Sequence, residues 1–113
     1  MGNKWIGTSG YFGGGGLAKF DGKSWTVYDT SNSHLPNNTV LSVAIDSHSN
    51  KWIGTDGGGL AFFNDTTWGI FSQSNSGLVD NQVRCIAIDD SSYKWMGTCG
   101  SEKGEGFAVF KNR

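Results

Sequence analysis

The chain has 113 residues, with 18 glycines, a single proline and a formal charge of -1. That length is one small domain, and so even a charge balance leaves no electrostatic footprint for nucleic acid or for an anionic membrane, so neither is expected as a partner. No apolar run approaches the roughly 20 residues that span a bilayer, the opening Met1 to Trp5 has no signal-peptide core, and Ile6 stands where a myristoylation motif needs Ser or Thr.

No window carries an apolar stripe of period 3.6, so helix is expected to be minimal. Short runs rich in aromatic and β-branched residues, separated by Gly, Asn, Asp and Ser, read instead as strands. The first is KWIGT at Lys4 to Thr8, followed by a loop from Ser9 to Gly15 with Tyr11 and Phe12, and then GLAKF at Gly16 to Phe20. A hairpin-sized link with Asp21-Gly22 leads to SWTVY at Ser24 to Tyr28. The polar stretch Thr30 to Val40 precedes LSVAID at Leu41 to Asp46, and a tight polar link, Asp46 to Asn50, leads to a second KWIGT at Lys51 to Thr55. GLAFF at Gly59 to Phe63, TWGIF at Thr67 to Phe71, the polar Gln73 to Val83, RCIAID at Arg84 to Asp89, KWMGT at Lys94 to Thr98 and GFAVF at Gly106 to Phe110 complete the chain.

These runs are one unit written repeatedly. Trp25 and Trp68, Val40 and Val83, and Ile45 and Ile88 are all 43 residues apart, while the loop after KWIGT is longer in the first and third copies than in the second. Insertions confined to one loop mark it as surface and as a candidate for function. Each complete unit holds four strands in antiparallel order. Four such strands per 40 to 50 residues is the signature of a β-propeller blade, whose two faces are covered by neighbouring blades. All five tryptophans are therefore expected in the core between blades. Gly7, Gly54 and Gly97, two residues beyond a tryptophan on the same strand face, are expected to leave room for a facing ring.

AID, KWIGT, GGGL, SNSHLPNN and SNSGLVDN together resemble the two-component-regulator propeller repeat. The resemblance covers nearly the whole chain. It implies an all-β propeller fold and, by analogy with sensor ectodomains of bacterial hybrid signalling proteins, recognition of glycan fragments. The location it implies is periplasmic or extracellular; a chain complete as written would be cytoplasmic. WD40 pairs and a full Asp-box are absent.

The strand count gives a partial blade at 1–39, a complete blade at 40–82 and a partial blade at 83–113, together one propeller-segment domain. Propellers have four to eight blades, and an open arc would leave apolar sheet faces in water. A homo-oligomer is expected, with two copies making one six-bladed ring; a self-assembling scaffold and a fragment of a larger sensor are the alternatives.

Chemistry is sparse. His34 and His48 lie in loops that open on opposite ends of a blade, Gly13 to Gly16 precede a strand rather than a helix, and no nucleophile elbow or metal-ligand pair is present, so neither catalysis nor a cofactor is expected. Cys85 and Cys99 are expected as reduced, buried or half-buried thiols. A binding site is expected where the loops after KWIGT meet the Asn-rich loops. Tyr11 and Phe12 would be stacking surfaces there, with Asn37, Asn38, Asp56, Asp80, Asn81 and Arg84 as polar contacts, a combination suited to a neutral or mildly charged glycan.

Overall fold

A computed structural model describes residues 2–9, 15–72, 74–75, 81–89, 93–99 and 105–111. Among these residues ten strands form three antiparallel sheets. β1 (Lys4–Thr8), β2 (Gly16–Phe20) and β3 (Trp25–Tyr28) make the first; β4 (Val40–Ile45), β5 (Lys51–Thr55), β6 (Leu60–Phe63) and β7 (Trp68–Phe71) the second; β8 (Val83–Ile88), β9 (Tyr93–Cys99) and β10 (Glu105–Lys111) the third. Within each sheet, neighbours in sequence are neighbours in space, so every sheet is a blade-like meander. β9 runs one residue further than the KWMGT motif and takes in Cys99.

The turns are closed by side chains in repeating fashion. Asp21 Oδ1 accepts the amides of Lys23 (2.9 Å) and Ser24 (2.8 Å), and Asn64 Oδ1 does the same for Thr66 and Thr67 in the next sheet. Thr8 Oγ1 donates to Gly16 O at 2.9 Å and Thr55 Oγ1 to Gly59 O at 2.7 Å, so the last residue of each KWIGT strand clasps the loop that follows it. Gly59 has φ of +89°, and a Cβ there would lie 2.3 Å from Phe71 O. Both observations require glycine at this position. The first strands of the second and third sheets bulge at the same place, between Val40 and Ser42 and between Val83 and Cys85.

Two clusters join the sheets. Leu17, Leu35, Val40, Ile53, Ala61 and Phe63 lie between the first and second, and Trp52, Leu60, Val83 and Met96 between the second and third. The central sheet is thus covered on both faces, and all five residues of β5 are buried. In a strand, alternate side chains point to opposite faces, so Ile53 serves the first cluster and Trp52 the second.

Burial of the tryptophans departs from the expectation that all five are core. Trp52 is fully buried, whereas Trp95 is 40% and Trp25 60% exposed. The repeat gives Trp52 and Trp95 the same place in their sheets, but burial needs a sheet opposite. Trp95 sits on the face of the third sheet turned away from the second, and Trp25 on the outer strand of the first.

The glycines are also corrected. At Gly7 and Gly54 the nearest atoms among the described residues belong to no ring: a Cβ on Gly7 would meet Val40 Cγ1 at 2.6 Å, and one on Gly54 would meet Val83 O at 2.5 Å. Glycine here lets the first strand of the next sheet approach the backbone. Cys85 is a free thiol but exposed rather than buried. It stands opposite Gly97 in the β8–β9 ladder, and Ser42 stands opposite Gly54 in β4–β5.

Candidate functional site

Two regions gather polar groups, one at each end of the sheets. At the end where β5 leads into β6, loops from different sheets are bonded to one another. Asp56 N donates to Thr39 O at 3.1 Å, and Gly57 N and Gly59 N both donate to Asn81 O, at 3.1 and 2.8 Å. Asp56 also forms a bridge with Gln82, whose Nε2 donates to the Asp56 carboxylate. Pro36 and Asn37 pack against Gly58.

Asn37, Asp56 and Asn81 therefore come together as the sequence suggests, but their polar atoms hold the loops. Asn37 Oδ1 accepts Thr39 N at 2.9 Å and Asn38 Oδ1 accepts Thr30 N at 2.8 Å. Asn32 and Asn75, equivalent in the repeat, donate to Val27 O and Ile70 O. Arg84 is exposed beside the bulge of β8. Tyr11, Phe12 and Asp80 lie outside the described residues. What this end offers a ligand is the Asn37 and Asn38 amide nitrogens and the Arg84 guanidinium as donors. One Asp56 carboxylate oxygen is available as an acceptor.

At the opposite end the repeated elements are an Asp–Trp bond within a sheet and a Lys–Trp contact between sheets, which meet as a trio at Asp46, Trp52 and Lys94. Asp46 Oδ2 accepts Trp52 Nε1–H at 3.0 Å and Asp89 Oδ2 accepts Trp95 Nε1–H at 2.9 Å. A lysine from the next sheet covers the indole: Lys51 Nζ lies 4.6 Å from the Trp5 ring centroid and Lys94 Nζ 4.9 Å from that of Trp52. Both lysines are buried, at 3% and 2% exposure. A buried ammonium needs partners, and Lys51 has them in Ser49 O at 2.9 Å and the Asp65 carboxylate at 3.0 Å. Beside this group lies a cleft of about 290 Å³ lined by Gly2, Asn3, Trp5, Ile45, Ser49, Lys51 and Asp65. Sequence reasoning missed this end, although the signal was present: a lysine precedes the tryptophan in all three copies, and an aspartate stands six residues before it in two.

Burial disfavours the charged form of Asp46. The bonds from Trp52 Nε1, from the Asn50 backbone and side-chain amides and from His48 N outweigh that, and its carboxyl is held below the ordinary value. Folding thus lowers its pKa. The stabilisation is fully present above the unfolded-state value of about 4 and is lost as pH falls through the folded value. Acid titration of unfolding stability should be steeper below about pH 4 for the parent than for Asp46→Asn, which lacks the group that titrates there; identical profiles would remove Asp46 from this role.

Among the described residues no cluster of His, Cys, Asp and Glu could hold a metal ion, and no helix is long and apolar enough to cross a membrane.

Fold and sites together define an all-β repeat protein of blade-like sheets. No family model and no curated protein matches the chain. Among solved structures it is similar to the extracellular domain of a hybrid two-component system protein, BT3049 from B. thetaiotaomicron. The TM-score is 0.72 with 30% identity, over 97% of this chain and 16% of that one. The chain thus spans about a sixth of the length of the structure it matches.

Proposed function

We propose that this chain is a non-catalytic run of propeller blades acting in extracellular or periplasmic sensing, with a glycan recognised at the end where the β5–β6 loop meets the Asn-rich loops. The observation that carries this reading is the similarity to the BT3049 extracellular domain along nearly the whole chain. The uncharged amide donors at this end suit hydroxyl groups, and the chain's small net charge favours recognition that survives moderate salt. Tyr11 and Phe12 supply stacking surfaces. A glycan array followed by calorimetry tests the reading: binding that persists at moderate salt and is lost in Tyr11→Ala/Phe12→Ala supports it, and an array without hits overturns it.

The ring is completed by further blades, and two copies making six is the simplest closed form. Supporting this is the lysine ladder between sheets. It leaves Lys4 exposed at one end of the arc and Trp95, 40% exposed, at the other, so Lys4 of one copy can cover Trp95 of the next as Lys51 covers Trp5. Light scattering should give twice the mass of the 12.1 kDa chain, and Trp95→Ala should shift it toward monomer. A monodisperse folded monomer would rule out the assembly.

A further inference from the structure

The first strands of the second and third sheets, β4 and β8, are edge strands of their sheets and pack against one another. Both carry the same bulge, and its effect can be read from the residues on either side. Val40 is buried against the first sheet, where a Cβ on Gly7 would meet it, whereas Ser42 lies beside Gly54 on the side of the third. Val83 is likewise fully buried against the second sheet, while Cys85, two residues on, is exposed. Side chains two apart on a regular strand share a face. Here they take opposite faces, so the inserted residue belongs to neither and stands on the edge; bulges re-aim side chains in this way. The inserted residues are Leu41 and Arg84, at the end of each strand that follows an Asn-rich loop.

One slot therefore carries two chemistries. Leu41 is apolar and half-buried, Arg84 charged and exposed. A guanidinium has five N–H donors and no acceptor, and among the described residues no carboxylate pairs with that of Arg84; the ion pair there is Lys51 with Asp65, at the opposite end of the sheets. The acid beside β8 at the loop end is Asp56, but it is bridged to Gln82, whose Nε2 already donates to its carboxylate. Arg84 is left with an uncompensated charge at the same end as the Asn37 and Asn38 amides.

Resting on the glycan reading of the loop end, we propose that the ligand is an acidic sugar and that Arg84 selects it by pairing with a uronic carboxylate. The planar fork of arginine matches both carboxylate oxygens at once, which an amide donor does not. Leu41, on the matching bulge of the neighbouring sheet, offers an apolar contact to the C–H groups of the sugar ring. The spare oxygen of Asp56 accepts a hydroxyl, so the ligand lies with its acid toward β8 and its hydroxyls toward the β5–β6 loop. One charge pair adds affinity without making recognition mainly electrostatic, so binding still persists at moderate salt.

The test is calorimetry of the intact protein against galacturonic, glucuronic and mannuronic acid oligosaccharides, the methyl esters of each, and the neutral galactose, glucose and mannose counterparts. The esters keep the ring and hydroxyls but lose the charge. At least one acid should bind, and its ester should bind about tenfold more weakly, the loss of hydrogen bonding to a charged group. Arg84→Gln should bring the acid down to the affinity of its ester. Arg84→Lys keeps the charge without the fork and should restore part of the difference. Because Arg84 is exposed, both variants should unfold at the temperature of the parent. Equal affinity of acid and ester for the parent, or binding of neutral oligosaccharides alone, would overturn the acidic ligand and leave the glycan reading standing. A preference for the acid that survives Arg84→Gln would remove Arg84 from the role. No binding to any member, acidic or neutral, would overturn both readings together.

Discussion

Trp52→Ala should lower unfolding stability by about 3–5 kcal/mol, the cost of removing a fully enclosed aromatic side chain from a packed core. Trp52 has no exposed surface; it meets Phe62 edge-on at 4.9 Å and Phe71 stacked at 6.2 Å, and carries the Lys94 ammonium on its face. Truncation would empty the space between the second and third sheets. It would also strip Lys94 of the ring beneath it and Asp46 of its indole donor. Trp95→Ala is the natural comparator, because that ring makes the equivalent bond to Asp89 but is 40% exposed. Urea unfolding of the two variants, at concentrations where the chain is monomeric, should show a loss several times larger for Trp52. Equal losses would mean that the repeat position, and not the sheet opposite, decides the energetic weight of the ring.

Gly54→Ala should be as damaging as many core truncations, although it adds only a methyl group. The new carbon would lie 2.5 Å from Val83 O, 2.8 Å from Ser42 Oγ and 2.9 Å from Val83 Cγ1. The closest of these is backbone, which cannot rotate away, so the third sheet must retreat from the second. Overpacking of this kind costs about 1–3 kcal/mol. Gly97→Ala is the informative control: among the described residues the same repeat position meets only the Cys85 sulfur at 2.7 Å, a side chain that can turn aside. Thermal unfolding should separate the two clearly. A Gly54→Ala protein as stable as Gly97→Ala would show that the sheets are not held at the distance seen here.

Much of this architecture is legible in the residues themselves. The strands, their antiparallel order and the meeting of the Asn37, Asp56 and Asn81 loops follow from a pattern that recurs in register. Local chemistry of that kind repeats whenever the residues do. Burial does not: Trp5, Trp52 and Trp95 are identical letters in identical places, yet their exposure depends on what lies across from each. For the same reason the pattern suggests a ring beside Gly7 and Gly54, where the neighbour is the valine of the next sheet's first strand. The Asn-rich loops read as a binding surface because amides bind sugars; the same amides also cap turns, and the carbonyl oxygens of Asn37 and Asn38 are spent on Thr39 and Thr30. The cleft beside Trp5 is not legible in the repeat, because its lining draws on residues far apart in sequence, Gly2, Ile45, Ser49 and Asp65 among them.

The tryptophan and the glycine of each Lys-Trp strand have a joint geometrical effect. At one end of β5 an indole, with an ammonium laid on it, keeps adjoining sheets a ring's thickness apart; two residues along, bare backbone lets them touch, and there the loops are stitched together through Asp56, Gly57, Gly59 and Asn81. Adjoining sheets therefore meet closely at the glycine and are held apart by an indole at the tryptophan, two spacings set by two residues of a single strand. Altering either one should rotate a whole sheet against its neighbour, with the displacement growing toward the outer strands.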